Sequence, residues 1–127
     1  MATVTIAEIS VRDDRIAPVV SMIWETLTTT NDRGAKFEWP HGADRSIHVF
    51  GVEGTGGTLI MQGSNKESPT DADTDWFPLL DTEGNAISVT SVPAGDNIGT
   101  IVRWIRPFVS AGDGSTDYDV ILLARRK

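Results

Sequence analysis

The chain has 127 residues, 39% of them apolar, a formal net charge of −7 and no cysteine. That length suits one domain that buries roughly two-thirds of its unfolded surface, and the modest apolar fraction fits a thin sandwich better than a thick α/β core. The acidic balance makes nucleic acid a poor partner; the missing thiols exclude a disulfide framework and fit assembly in a reducing cytoplasm; no apolar run approaches the roughly 20 residues that a bilayer crossing takes.

The opening stretch MATVTIAEISVRDD lacks the basic start and apolar block of a signal peptide. Residues 3–11 alternate loosely, with Val4, Ile6 and Ile9 or Val11 available to a core or a partner. Residues 1–18 therefore read as an N-terminal strand or extended arm, and residues 19–127 as the β-sandwich domain. Asp13-Asp14 and Pro18 favour a turn between them. Residues 19–28 fit a helical stripe through Val20, Ile23, Trp24 and Leu27, but the threonines Thr26 and Thr28–Thr30 favour a strand. As a strand, Val20, Met22, Trp24 and Thr26 share one face, and Val19, Ile23 and Leu27 fall near the other.

Further on, Ile47 and Val49 oppose His48, Phe50 and Val52. Gly54-Thr55-Gly56-Gly57 then predicts a hairpin, with residues 58–63 pairing back and Leu59 and Met61 opposed to Ile60 and Gln62. Ser64–Asp75 reads as a long polar loop, Trp76–Leu80 as a short strand, and Ala86–Val92 as a strand with Ile87 and Val89 inward. Ile98–Ser110 reads as one long strand kinked near Pro107, and Asp117–Ala124 as the last strand. The expected fold is all-β: a single-domain antiparallel β-sandwich or jelly roll of about eight strands.

That last strand is apolar on both faces, with Val120 and Leu122 on one and Ile121 and Leu123 on the other. A strand with one wet face alternates, so a second cover is expected, from the N-terminal segment or from a neighbouring subunit. Ile121 and Leu123 are accordingly candidate partner contacts. So is Trp39, beside Pro40 in a loop-like stretch, whereas Trp76 and Trp104 lie in strand runs and read as core.

Sites of chemistry are harder to find. Asp71, Asp73 and Asp75 start like a calcium loop, but Trp76 follows where glycine is needed and Thr82 stands where the closing glutamate belongs. The glycines at 54–57 lack the Lys-Ser/Thr of a phosphate loop, and no nucleophile elbow is present. No enzyme, metal or cofactor is expected. Charge is uneven: Glu67, Asp71, Asp73, Asp75, Asp81, Glu83 and Asp96 face Lys66 alone, whereas Arg103, Arg106, Arg125, Arg126 and Lys127 enrich the C-terminal part. Such a division suits docking between neighbours.

Several pieces occur together: Ala43-Asp44-Arg45-Ser46-Ile47-His48-Val49, Gly56-Gly57, Gln62-Gly63-Ser64-Asn65, Trp76, Leu79, Gly84-Asn85-Ala86-Ile87, Ile105-Arg106-Pro107, Ala111-Gly112-Asp113-Gly114-Ser115-Thr116-Asp117 and Val120–Arg125. Over residues 24–126 this resembles small β-sandwich structural proteins of tailed-bacteriophage virions. The Gly-Ser-Asn…Trp piece is also similar to discoidin-type sandwiches, although Lys66–Asp75 is longer and more acidic than their loop. The resemblance implies a capsid decoration or cement protein, made in the host cytoplasm and located on the virion surface. It would bind the major capsid protein as a homo-oligomer, a dimer or trimer, with neither nucleic acid nor membrane as partner. The alternatives it leaves are a carbohydrate- or receptor-binding module on the virion, recognised by exposed tryptophans, or a head-completion or tail-associated protein.

Overall fold

A computed structural model describes residues 3–12, 19–38 and 42–126. Its strands are β1 (Thr3–Val4), β2 (Ile6–Arg12), β3 (Val19–Leu27), β4 (Arg33–Gly34), β5 (Phe37–Glu38), β6 (Gly42–Val52), β7 (Thr58–Ser64), β8 (Phe77–Pro78), β9 (Ser88–Val89), β10 (Ala94–Ile98), β11 (Trp104–Ala111) and β12 (Asp117–Arg126). A five-stranded sheet takes the order β10-β6-β12-β3-β2. A seven-stranded sheet takes the order β1-β4-β11-β7-β8, with β5 also on β11 and β9 also on β7. From β3 onward the chain passes back and forth between the two sheets, leaving β4 with β5 and β7 with β8 and β9 as runs in the seven-stranded one, the wrapping of a jelly roll. Pairing is antiparallel except between β1 and β4.

The core is built by two-residue alternation. Ile47 and Val49, Leu59 and Met61, and Val120 and Leu122 are all buried between the sheets, with Trp24 and Ile105. Each such side chain contributes roughly 1.5–3 kcal/mol by leaving water. Pro107 also lies on the inner side of β11, where Gly34 leaves room for it. A Cβ on Gly34 would stand 2.6 Å from both the Pro107 Cδ and the Trp24 Cδ1.

Three expectations are corrected. The glycines at 54–57 do not close a hairpin: β6 and β7 belong to different sheets, so this turn is a crossover. The 98–110 segment is two strands, because Gly99–Arg103 carries the chain from β10 in one sheet to β11 in the other. Leu27 does not oppose Trp24. Both are fully buried, because a bulge between Tyr118 and Val120 resets the register and Thr26 adopts φ 60°. The N-terminal strands are part of the sandwich: β2 extends the five-stranded sheet, and β1 pairs with β4 in the other.

Candidate functional site

The two outer faces of the sandwich differ. On the five-stranded sheet, the cross-strand register sets Ala7, Ile23, Ile121, His48 and Gly95 in one row. The next row holds Ser21, Leu123, Ser46 and Asn97. These residues alternate with buried ones, so they face outward. His48 leans on Phe50 with ring centres 5.5 Å apart. Leu123 is 43% exposed and Val52 51%. Ile23, Phe50 and Ile121 are half-buried. The result is an apolar stripe with small polar residues beside it, open to a partner.

The N-terminal segment was one expected cover for this face, but its described strands lie elsewhere: β2 sits beside β3 in the same sheet and β1 joins the opposite one. Val4 and Ile6, expected to be available to a core or a partner, are half-buried and pack against the core. Ile9 lies in the edge strand β2, and Trp39 falls outside the described residues. Ile121 and Leu123 therefore stand together, with Ile23 added from β3. Alternation alone set Ile23 on the face opposite Trp24, but only the register brought it beside Ile121.

The outer face of the seven-stranded sheet is capped by the chain's own acidic loop between β7 and β8. Arg106 on β11 is fully buried there. Its Nε donates to Gln62 Oε1 on the paired strand at 2.8 Å. Its guanidinium carbon lies 4.2 Å from the centre of the Trp76 ring. Arg33 on β4 donates from Nη1 to the Asp71 carbonyl at 2.7 Å, and Lys36 from Nζ to the Pro69 carbonyl at 2.8 Å. Trp76 Nε1 donates to the Thr70 carbonyl at 2.7 Å, and Trp104 Nε1 to the Lys66 carbonyl at 3.0 Å. Cations and indoles on the sheet thus hold the backbone of an otherwise exposed loop. Burial first, then the neighbouring Arg33, pulls the Arg106 pKa below the usual guanidinium value, and Asp71, Asp73 and Asp32 oppose that shift.

This arrangement corrects the core reading of Trp76 and Trp104. Trp76 is buried but lies over the outer face, outside the core cluster, and Trp104 is only half-buried on that same side. Neither builds the inter-sheet core. The three loop aspartates also diverge. Asp75 is taken by Lys66 Nζ at 2.5 Å and by the Thr70 amide and hydroxyl at 2.7 and 2.8 Å. Among the described residues no group of three or more metal-ligating side chains converges. Sequence reasoning passed over Arg106, Arg33 and Gln62, because alternation along WIRPFVSA places Arg106 on a face that looks solvent-exposed. Only the folded loop buries it.

Among the described residues no helix is long and apolar enough to cross a membrane. The fold and its faces define an all-β jelly-roll sandwich, one sheet capped by its own loop and the other left bare by the described residues. No protein-family model matches the chain, and no curated protein matches it. Among solved structures it is similar to a carbohydrate-binding module from Cellvibrio mixtus lichenase 5A in complex with cellotriose, at 12% identity over 96% of this chain and 86% of that one. The TM-score is 0.27, too low for that likeness to carry an argument.

Proposed function

We propose that this protein is a virion structural protein of tailed-bacteriophage type, a cement protein that docks on the capsid shell through the bare face of its five-stranded sheet. The observation that carries the reading is the row of Ile23 and Ile121 with Leu123 beside it, apolar and open. The virion-protein wording of residues 24–126 supports it. So does the acidic loop on the opposite sheet, which would face solvent on a docked subunit. The partner is the major capsid protein, and self-association as a dimer or trimer adds avidity through effective concentration. Each copy that binds only the assembled shell stabilises that shell by mass action.

The experiment uses particles assembled with the wild-type chain or with an Ile121→Asp/Leu123→Asp variant. Both positions are on the outer face, so the variant folds with near wild-type circular dichroism. Purified shells are expected to carry wild-type copies in fixed stoichiometry and to lose the variant, with rupture at lower temperature. Wild-type chain absent from purified particles, or variant retained at wild-type level, would defeat the reading.

A further inference from the structure

The capped face holds a cation that the fold answers only in part. Arg106 Nη1 and Nη2 are buried and have no hydrogen-bond partner among the described residues. Nη1 stands 3.7 Å from Asp71 Oδ1, and Nη2 stands 3.7 Å from Asp73 Oδ1. Those are ion-pair distances, beyond the reach of an N–H···O bond. Buried donors without acceptors are costly, and native folds seldom leave them so. The two aspartate side chains are at the surface, 68% and 71% exposed.

The charges select the kind of ligand. An anion drawn to Arg106 meets two carboxylates at the rim. A cation drawn to Asp71 and Asp73 meets Arg106, with Arg33 close behind it. A neutral hydroxyl satisfies both sides, because it accepts from an Nη and donates to a carboxylate oxygen. Here two such Nη–carboxylate pairs sit on one planar guanidinium, so the matching ligand presents two hydroxyls on adjacent carbons. We propose that Arg106, Asp71 and Asp73 form a binding site for the vicinal diol of a polyhydroxylated ligand, a pyranose sugar being the simplest.

Trp76 occupies a face of the guanidinium, so the diol approaches its edge, between the aspartates. Rotation of two exposed side chains opens that path. The backbone of the loop stays held through the Asp71 carbonyl on Arg33. The site lies on the sheet opposite the proposed docking face and does not depend on it.

The test titrates the full chain with D-mannose, D-galactose and D-glucose, and separately with inorganic phosphate. The readouts are the Arg106 Nε–Hε and Trp76 indole NMR signals. The expected result is a saturable shift of both signals with at least one sugar in the millimolar range. An Asp71→Ala/Asp73→Ala variant should weaken it at least roughly tenfold, the loss expected when both charge-assisted acceptors go. Its circular dichroism spectrum should stay that of the wild type, with a lower melting temperature because the two carboxylates no longer offset the buried charge of Arg106. No saturable shift with any sugar, an unchanged response in the variant, or a shift with phosphate alone would each overturn the proposal. Shell binding by the Ile121→Asp/Leu123→Asp variant reads the other sheet, so the two proposals fail separately.

Discussion

The backbone amide of Thr26 donates to Asp119 Oδ1 at 2.8 Å, across the bulge that turns Leu27 into the core. Thr26 sits at φ 60°, a conformation that β-branched residues adopt at a cost. Asp119→Ala should therefore lose about 1 kcal/mol in urea denaturation, the usual worth of such a bond. Thr26→Gly should be neutral or stabilising by up to about 1 kcal/mol, since glycine enters the left-handed region freely. A Thr26→Gly protein clearly weaker than wild type would show that the threonine side chain, and not the bulge, matters here.

Trp76 and Arg106 respond differently to truncation. Trp76→Ala uncovers a buried guanidinium and empties a large volume, so it should cost about 3–5 kcal/mol. Arg106→Met removes the charge together with the need to bury it and keeps most of the volume. It should stay within about 1 kcal/mol of wild type, because replacing a buried ion by an apolar side chain is often neutral. Guanidinium chloride unfolding of the two variants checks the contrast. Equal losses would mean that Arg106 contributes to stability as much as its cover does.

Tyr118 is fully buried, and its hydroxyl has no hydrogen-bond partner among the described residues. Burial, then the charge of Glu53, pushes its pKa up. Tyr118→Phe removes an unanswered polar atom from the interior and should raise stability by about 1 kcal/mol in thermal unfolding. A loss of stability would point to a partner for that hydroxyl in solution.

Two loop aspartates set the acid limit. Asp113 is held down to about 2 by the Ser115 hydroxyl and amide, then by the Thr55 amide. Asp75 is held well below the usual carboxylate range by Lys66 first and then Thr70. Both folded-state values lie below the unfolded one. Their stabilisation is therefore present above the ordinary aspartate pKa of 3.8 and is lost as pH falls, for Asp113 through about 2 and for Asp75 at still lower pH. Urea midpoints should fall between pH 4 and pH 2, and Asp75→Asn/Asp113→Asn should flatten that fall. An unchanged slope in the double variant would assign acid sensitivity to other groups.

Much of the fold was readable in the chain because strand side chains repeat every second residue. Alternation grouped Ile47 with Val49, Leu59 with Met61, and Val120 with Leu122 on shared faces, and each of those faces lines the core; Ile87 and Val89, read as inward, are buried there too. Ile121 and Leu123 were set by the same rule on the opposite face, as candidate partner contacts, and Leu123 is exposed. The rule tells which side chains share a face. It says nothing of which sheet a strand joins, so Gly54–Gly57 read as a hairpin and Gly99–Arg103 as the middle of a strand.

The amino-acid order alone determined an all-β chain with two-faced strands, an acidic loop, and a final strand apolar on both sides. Local propensity and residue spacing are enough for that. Tertiary structure decided which of those faces stays bare, that the bulge at Thr26 returns Leu27 to the interior, and that Arg106 lies buried beneath Trp76. Each of these depends on pairing between segments far apart in the chain, such as Thr26 with Asp119 or Arg106 with Asp73. Contacts of that kind leave no periodic trace in the residues that make them.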